Sequence, residues 1–283
     1  MSAGRYSLGL PAWAFPGWKD RYFEDQPSRL ASYATVFNTV EGNTTFYRIP
    51  DSKSVRSWRE AVARRDFRFC FKLPREVTHE RSPDLDALRR FLDAIKPLGE
   101  NLGPFLVQFP KTVGPDEIAA FEPVFETLTE KHRFTMEVRH PKFFDEPALL
   151  EPVLDRFDAG RIMMDSRPIF EGDRGHPDVR DALHEKPDVP VLTKTYGNIV
   201  LVRLILHPDL RSNSAWIDEW AARTARYLRD GDDVYMMIHC PNNLHCPPLA
   251  KTFHERLLAE PGVSISAALP AWPIPQQADL LSG

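Results

Sequence analysis

Four charged residues lie at the ends of short apolar runs of the kind that forms buried strands: Glu41, Lys72, Glu137 and Arg139. Carboxylates and cations that meet in a partly desolvated pocket shift one another's pKa values, which prepares them for acid–base chemistry. Glu137 and Arg139 are two residues apart, so strand alternation puts both on one side. We expect Glu41 and Glu137 to act as acid and base, with Lys72 as a third catalytic residue that stabilises negative charge.

Simpler roles for these residues stay open at this point. Glu41 could neutralise Arg139 or Arg203 in a structural ion pair, because charges are seldom buried alone. Phenylalanines alternate with Arg, Cys and Lys over residues 67–72, so the side of the strand that carries Lys72 is undecided, and a surface lysine is an alternative. A Schiff-base lysine is a further alternative that requires a lowered pKa.

Other apolar runs also end in polar or aromatic residues, which we expect to bind substrate. Arg139 and Arg203 would hold an anion, and Arg203 shares a side with His207 if alternation continues that far. For Trp13 and Tyr47, packing against the core is the plainer alternative to stacking on a ligand. The substrate-binding residues expected on these grounds are Trp13, Asn43, Tyr47, Gln108, Arg139, Asp165, Arg203, His207 and His239.

Histidines together with the carboxylates could bind a divalent metal such as zinc or manganese. The histidines concerned are His79, His140, His207, His239 and His245. No HExxH or paired-cysteine spacing occurs, and HCPNNLHC at 239–246 matches no standard zinc finger. We therefore predict no cofactor and keep a divalent metal as an alternative. A Gly-rich phosphate loop and a dinucleotide fingerprint are also lacking, which argues against nucleoside triphosphates and Rossmann cofactors.

Eight runs of β-branched and aromatic residues recur, with amphipathic segments of helical period between them. The runs begin at Tyr6, Phe37, Phe67, Pro104, Arg133, Arg161, Asn198 and Asp233. Two of the helical segments begin at Leu88 and Ala215, and the second ends at Gly231, a residue suited to a helix C-terminus. Eight strand–helix repeats predict an α/β fold, a TIM-type (β/α)8 barrel whose reactive groups collect at the carboxyl ends of the strands. An open doubly wound sheet is the alternative.

The chain is expected to form a single domain over residues 1–283, with a core at about 5–260. Residues 166–197 are rich in Pro, Gly and charge and are predicted to form a long loop after the sixth strand. Residues 261–283 are predicted to be a Pro-rich, extended closing tail.

The composition limits which binding partners and which cellular location we expect. The formal net charge is −4, from 36 basic and 40 acidic residues, so composition carries no footprint for nucleic acid. We expect a small-molecule or anionic substrate, no membrane partner and no nucleic acid, and leave the oligomeric state open. Three cysteines without a disulfide spacing, no signal peptide and no apolar run of about 18 residues predict a cytoplasmic protein.

Several motifs resemble one known family. At VEGNTTFYRIPDSKSVRSW from Val40, FCFKLPREVTH from Phe69, GPFLVQFP from Gly103 and MEVRH from Met136, the sequence resembles the YecE-like family, or domain of unknown function 72. The motifs follow the family's order and spacing over most of residues 5–260. The resemblance implies a TIM-type barrel of bacteria and archaea with no settled activity. Its Thr-His and Glu-x-Arg-His motifs add His79 and His140 to the expected substrate-binding residues.

The sequence departs from the family pattern near the last two strands. The usual Arg-x-His-Gly reads RLIL at 203–206, and His207 comes two residues late. The Asn-Asn pair of the last strand is displaced behind His239 to residues 242–243. Asn243 joins the substrate-binding residues through this resemblance. The differences indicate a divergent subgroup.

Together these residues predict an enzyme that acts on a small polar or phosphorylated substrate, such as a sugar or nucleotide fragment. The chemistry would be hydrolysis or general acid–base catalysis. A non-catalytic ligand-binding or regulatory protein that has kept the pocket is an alternative. An endonuclease-like nucleic-acid enzyme is another, by analogy with barrel endonucleases, although the acidic charge balance disfavours it.

Overall fold

Parallel strands alternate with helices along the part of the chain that the computed structural model describes, residues 4–18 and 21–263. The strands are Tyr6–Gly9 (β1), Thr39–Gly42 (β2), Arg68–Phe71 (β3), Phe105–Gln108 (β4), Phe134–Glu137 (β5), Gly160–Asp165 (β6), Ile199–Ile205 (β7) and Asp233–His239 (β8). Each coincides with one apolar run of the sequence, because β-branched and aromatic side chains fit a pleated, buried surface. The eight predicted strands are confirmed.

The helices lie mostly between consecutive strands. They are Arg29–Tyr33 (α1), Ser52–Ala61 (α2), Arg75–Thr78 (α3), Leu85–Ile95 (α4), Glu122–Thr129 (α5), Lys142–Asp145 (α6), Glu151–Arg156 (α7), Arg167–Phe170 (α8), Pro177–Glu185 (α9), Ser214–Asp230 (α10) and Cys246–Leu258 (α11). Short 3-10 turns occupy Pro16–Trp18, Asn43–Phe46, Lys96–Asn101, Ile118–Phe121, Pro147–Leu149, Leu210–Asn213 and Asn243–His245. The two predicted helical segments are found as α4 and α10. Helix α10 ends where Gly231 takes a φ of 94°, a left-handed conformation that glycine adopts without steric cost.

The strands form two hydrogen-bonded sheets rather than one continuous ring. A six-stranded parallel sheet has the order β1-β8-β7-β6-β5-β4, and a two-stranded parallel sheet contains β2 and β3. Two isolated bridges, Phe69 to Leu102 and Lys72 to Leu106, connect β3 with the β4 region. An α/β fold with a mostly parallel sheet is therefore present as predicted, whereas the sheet is not closed into the continuous barrel that the sequence predicted.

Side chains replace the regular ladder where β1 meets β2. The Asn38 amide accepts a hydrogen bond from Leu8 N (2.8 Å) and donates one to the Tyr6 carbonyl (3.0 Å). The hydroxyl of Tyr33, on α1, accepts from the backbone N–H that follows β1 (2.8 Å) and donates to the Thr39 carbonyl (2.8 Å). These groups satisfy buried backbone atoms that a ladder would otherwise pair, and this is why the sheet is interrupted here.

Strand side chains alternate between two apolar layers. The layer on the side away from the helices consists of Cys70, Leu106, Ile162, Ile199, Leu201, Tyr235 and Met237. On the helix side, Phe69 and Phe71 pack on Trp58 of α2, and Phe71 also meets Phe91 of α4. Because the phenylalanines of β3 take the helix side, Cys70 and Lys72 lie on the other one.

The segment after β6 is more regular than the sequence predicted. Residues 166–197 contain helices α8 and α9 instead of a long loop without structure. Helix α9 begins with Pro177, whose fixed φ suits the first helical turn, and it buries Val179 and Ala182. Leu183 packs against the same cluster, and three apolar side chains on α9 were too few to produce a clear helical period in a segment this rich in charge.

Two further expectations concern the membrane and the tail. Over residues 4–18 and 21–263, no helix is both long enough and apolar enough to cross a membrane. The predicted closing tail begins at Pro261, and all of it beyond Val263 lies outside the described residues.

Candidate functional site

Six strands deliver side chains to one region, which we call the mouth: Glu41 from β2, Lys72 after β3, Gln108 from β4, Glu137 from β5, Arg203 from β7 and His239 from β8. The carboxyl ends of parallel strands lie at one edge of a sheet, where α/β proteins usually bind ligands. An open cavity of about 710 Å³ lies there. Its lining residues are Pro11, Asn43, Phe46, Tyr47, Lys72, Arg75, His79, Gln108, Arg139, Lys186, Arg203, His239, Cys240, Pro241 and Asn243.

The guanidinium of Arg203 joins the two carboxylates of the mouth. Its Nε and Nη2 donate to the two oxygens of Glu41, both at 3.0 Å, and its Nη1 donates to Glu137 Oε2 at 2.5 Å. Both carboxylates are buried, and the Arg203 side chain is 12% exposed. Forked, charge-assisted bonds of this kind are the strong ones, so the three side chains form a rigid unit.

Further donors complete the hydrogen bonding of both carboxylates. Glu41 accepts from Asn43 Nδ2 at 2.8 Å, and His239 Nε2 lies 3.2 Å from its other oxygen. Glu137 accepts from Arg139 Nε at 2.8 Å. Burial lowers the pKa of His239, and Glu41 only partly offsets this, so the ring is neutral near pH 7 and donates through Nε2.

The two carboxyl groups are ionised at neutral pH. Burial alone would raise the pKa of Glu41, but the positive charge of Arg203 and the hydrogen bonds from His239 and Asn43 hold it well below its usual range. Burial likewise raises the pKa of Glu137, and Arg203 and Arg139 lower it by more. A group held this firmly in one protonation state transfers protons poorly. The geometry therefore favours a role in which Glu41 and Glu137 position Arg203 and Arg139, rather than the expected roles of acid and base.

Lys72 brings an amine to the mouth. Its Nζ lies 3.7 Å from the centre of the Phe46 ring. Burial lowers the pKa of Lys72 to about 8. The charges of Glu137 and Glu41 would raise this pKa, and those of Arg203 and Arg139 lower it. A lysine with this pKa exchanges its proton near neutral pH, which supports the expected catalytic role.

His79 lies beside Lys72 at the same cavity. Its ring meets Phe46 edge-on at 4.7 Å, and Nδ1 is 2.8 Å from the hydroxyl of Thr78. Burial lowers the pKa of His79 to about 4, with further lowering from the charges of Lys72 and Arg139. The imidazole is therefore neutral near pH 7 and can accept or relay a hydrogen bond from a ligand.

Positive charge dominates the cavity wall. Five lining residues are cationic, namely Lys72, Arg75, Arg139, Lys186 and Arg203, and none of the described lining residues is Asp or Glu. Even with the two carboxylates behind the wall included, the mouth has three more cations than carboxylates. This arrangement favours an anionic ligand.

Sequence reasoning missed two of these cations. Arg75 begins α3 directly after the third strand, and Lys186 follows α9 in the segment after the sixth strand. Burial lowers the pKa of Lys186, as does the charge of Arg203. The available signal was their position, because the segments that follow parallel strands surround the ligand site.

Most of the expected site residues meet at the mouth. Tyr47 and Asn243, which were also expected to bind substrate, lie on the cavity wall, and Tyr47 is 80% exposed. Four expected residues are not brought there: Trp13, His140, Asp165 and His207.

Asp165 faces the helices instead of the mouth. The register pairs Met164 with Arg203 and Asp165 with Leu204, so alternation turns Asp165 to the opposite side. Its carboxylate accepts two forked bonds from Arg167 (3.0 and 2.6 Å) and one from Trp220 Nε1 (2.7 Å). Asp165 therefore has a structural role that the sequence did not predict.

His207 supports the loop that follows β7. The strand ends at Ile205, so the alternation that would have placed His207 beside Arg203 stops before it. His207 Nδ1 accepts from Asp209 N at 3.0 Å, and Nε2 lies 3.1 Å from the Asp173 carbonyl. Both ring nitrogens are thus used within the protein.

Trp13 and His140 also pack away from the cavity. The Trp13 ring contacts Trp58 and Phe69 edge-on, with centroid distances of 5.3 and 6.2 Å. Core packing was the alternative role that the sequence allowed for Trp13. His140 accepts a bond from Lys142 N at 3.3 Å and lies near Phe143.

The histidines and carboxylates considered as metal ligands are not clustered in the part of the chain that the structure describes. Over residues 4–18 and 21–263, no three His, Cys, Asp or Glu side chains are grouped so that they could hold a metal ion. Within HCPNNLHC, burial raises the pKa of the Cys240 thiol to about 12. A divalent metal stays an untested alternative.

A second open cavity, of about 730 Å³, lies at the amino ends of the strands. It is also lined by cations, but several of them have carboxylate partners. Arg133 pairs with Asp233 at 2.9 Å, and Arg5 and Arg68 both pair with Asp66. Because its charges are largely satisfied and it lies at the end opposite the usual ligand site, the mouth is the stronger candidate for the functional site.

Comparisons with known proteins give consistent similarities. The family model described as "Protein of unknown function DUF72" matches residues 7–273. The chain is 34% identical over 282 residues to the UPF0759 protein YecE of Escherichia coli strain K12, covering 96% of this chain and 98% of the relative. The YecE protein of Escherichia coli O157:H7 matches to the same extent.

Solved structures share the fold. A DUF72 family protein from Enterococcus faecalis V583 superposes with a TM-score of 0.69 at 19% identity, covering 91% of this chain and 99% of that chain. A DUF72 family protein from Thermotoga maritima MSB8 has a TM-score of 0.68 at 18% identity, covering 90% and 100%. At these identities the likeness concerns the fold alone.

Proposed function

The chain belongs to the DUF72 family, as its motifs predicted, and since that name assigns no activity we propose a function from the geometry of the mouth. We propose that the protein is an enzyme for a small anionic substrate, such as a phosphorylated sugar or nucleotide fragment. Its chemistry would be hydrolytic or general acid–base catalysis with Lys72 as the proton-transfer group.

One observation carries this proposal. The cavity at the strand ends has five cations on its wall, while the two carboxylates of the mouth are already bound by arginines. An anion entering this cavity would gain attraction without competing against a free carboxylate. Preorganised cations of this kind also stabilise negative charge that develops during a reaction.

The side chains take distinct roles in the proposal. Arg75, Arg139 and Lys186 bind the anionic group, and Gln108 and Asn43 orient the rest of the substrate. Tyr47 covers it from the rim. Glu41 and Glu137 position Arg203 and Arg139, so they act through other residues. Lys72 gives or takes the proton, because its pKa of about 8 lies close to working pH.

The proposal extends to the architecture. We infer that the two sheets together form the (β/α)8 barrel expected from the sequence. Support comes from the hydrogen bond of Glu41 N to the Leu10 carbonyl (3.0 Å) between β1 and β2, and from Leu73 N to the Leu106 carbonyl (3.1 Å) between β3 and β4. A cytoplasmic location also stays a prediction.

Thermal unfolding in the presence of inorganic phosphate and pyrophosphate tests the anion site. A ligand that binds the folded state stabilises it by about 2.7 kcal/mol at a hundredfold excess over its Kd. We expect Lys186→Met to weaken phosphate binding about tenfold or more, because it removes a charge-assisted contact. The matched control is Lys131→Met, which removes a lysine of the opposite cavity and should leave binding unchanged. Loss of binding in the control alone, or no stabilisation by either anion, would contradict the proposal.

Turnover is tested separately, with a panel of phosphate monoesters and measurement of released phosphate. We expect Lys72→Met to abolish any turnover that the wild-type protein shows. Stabilisation by the esters without turnover would instead support the non-catalytic ligand-binding alternative.

A further inference from the structure

The amine of Lys72 has no carboxylate partner among the described residues. Both carboxylates of the mouth, Glu41 and Glu137, are bound by Arg203. Lys72 Nζ instead lies over the ring of Phe46, which is buried. The amine is thus held in an accessible cavity by an apolar surface and not by an ion pair.

Neighbouring cations complete the environment. Arg139 and Arg203 line the same cavity as Lys72. Burial lowers its pKa to about 8, because the charges of Arg203 and Arg139 act against those of Glu137 and Glu41, which would raise it. A lysine that is desolvated and next to other cations is the kind that acts as a nucleophile, because part of it is unprotonated near neutral pH.

We propose that Lys72 forms a Schiff base with the carbonyl carbon of a small anionic aldehyde or ketone. This inference rests on the anion site of the proposed function, since it names the substrate class of the same cavity, and it makes Lys72 the nucleophile in place of the proton-transfer group. The Nζ lone pair attacks the carbonyl carbon, and the carbonyl oxygen then leaves as water with the two amine protons. A C=N bond joins Lys72 to the substrate, and hydrolysis reverses the step without any oxidant or reductant.

The charge of the cavity selects an anionic carbonyl compound. A protonated Schiff base keeps the positive charge of Lys72, so the mouth still has three more cations than carboxylates. A phosphate or carboxylate on the substrate offsets this excess. Arg75, Arg139 and Lys186 would hold that group and bring the carbonyl carbon to Lys72.

Reductive trapping tests the proposal on the full-length protein. Pyridoxal 5′-phosphate is the anionic aldehyde, pyridoxal is its counterpart without phosphate, and borohydride reduces the imine to a stable amine that peptide mass spectrometry locates. We expect pyridoxal 5′-phosphate to label Lys72 at least about tenfold more than Lys131 at pH 7, because the unprotonated fraction of Lys72 is much larger. Pyridoxal should label Lys72 less than pyridoxal 5′-phosphate does, because it lacks the anionic group that the cavity binds, and inorganic phosphate should protect Lys72 from pyridoxal 5′-phosphate. Even labelling of all lysines, or preferred labelling of Lys186, would overturn the proposal.

A second arm distinguishes the source of the negative charge. Glyoxylate is a small aldehyde that carries a carboxylate in place of the phosphate. Labelling of Lys72 by glyoxylate but not by pyridoxal 5′-phosphate assigns a carboxylate substrate, and the reverse assigns a phosphate. Labelling of Lys72 by neither probe overturns the Schiff base.

The variant Lys72→Arg separates this inference from the proposed function. Arginine keeps the positive charge but lacks a nucleophilic amine. We expect this variant to keep its stabilisation by inorganic phosphate and to lose the label, whereas Lys131→Arg keeps both. If the wild-type protein binds phosphate but Lys72 forms no imine, the inference fails and the anion site stands. If phosphate does not bind at all, the proposed function fails.

Imine labelling of Lys72 and stabilisation of the protein by phosphate should change in opposite directions with pH. Labelling should increase as pH rises through about 8, because the amine loses its proton over that range. Stabilisation by phosphate should weaken over the same range, because the cavity loses one positive charge. A labelling rate that rises only near 10.5, the ordinary pKa of lysine, would count against the proposal.

Discussion

Arg203 determines the charge state of the mouth at the level of single residues. It binds Glu41 and Glu137, which are 162 and 66 residues away in the chain. Buried ion pairs cost desolvation free energy when they form, so their net contribution to stability is small or unfavourable compared with apolar packing. Removing one partner of such a pair is strongly destabilising, because it leaves a buried charge without compensation.

We therefore expect Glu41→Gln to destabilise the protein by about 3–5 kcal/mol at pH 7. The effect should also depend on pH. The pKa of Glu41 is lower in the folded state than its ordinary value of 4.5, so its ionised form stabilises the fold above that pH, and this stabilisation is lost as pH falls below it. Urea unfolding between about pH 3 and 7 should give a shallower pH dependence for the variant than for the wild-type protein.

Glu151→Gln is the matched control for this prediction. Glu151 also accepts hydrogen bonds, from Lys194 and Tyr196, but its side chain is 30% exposed. Exposed ion pairs contribute about 0–1 kcal/mol, so the control should lose little stability. Equal losses in the two variants would show that burial of the mouth carboxylates has no special effect.

At the level of elements, helix α1 stabilises the contact between β1 and β2. Its Tyr33 hydroxyl bonds to the backbone on both sides of the interrupted ladder. We expect Tyr33→Phe to cost about 1–3 kcal/mol, because a buried N–H and a buried carbonyl each lose a partner. Denaturant unfolding measures the difference.

Tyr6→Phe is the control for Tyr33→Phe. Tyr6 is likewise buried, but its hydroxyl has no hydrogen-bond partner within the described residues. Removing an unsatisfied polar group should leave stability unchanged or raise it slightly. A larger loss for Tyr6→Phe than for Tyr33→Phe would mean that the side chains between β1 and β2 do not support the sheet.

At the level of the whole molecule, the two sheets should differ in local stability. Strands β7 and β8 have paired neighbours on both sides and share seven paired positions, whereas β2 and β3 pair mainly with each other. Native proteins open in cooperative units, and units with fewer ladder bonds open at lower free energy. We expect hydrogen exchange to be slower in residues 199–205 and 233–239 than in residues 39–42 and 68–71.

Mass spectrometry of exchanged peptides provides the measurement. In Tyr33→Phe, exchange should accelerate in the peptides of β1 and β2 and stay unchanged in β7. Uniform protection across all eight strands would indicate a single cooperative unit in which the interrupted ladder has no effect on local opening.

The sequence alone determined the eight strands and the residues at their ends. Apolar runs of β-branched and aromatic residues form buried strands wherever they pair, so their positions follow from local chemistry. Glu41, Lys72, Gln108 and Glu137 were identifiable because parallel strands place their carboxyl ends together. Family motifs around the same residues pointed to the same edge.

The tertiary structure decided which side each side chain faces and which charges meet. Lys72 faces the mouth because Phe69 and Phe71 pack beneath helices, while the register at Met164 turns Asp165 away. The cations that sequence reasoning missed come from segments with no periodic pattern. A shift of one residue reverses the face of every side chain on a strand, and register depends on contacts between distant parts of the chain. Thus the sequence left an ion pair of Glu41 with Arg203 open, and only the assembled strands show that Arg203 binds both Glu41 and Glu137.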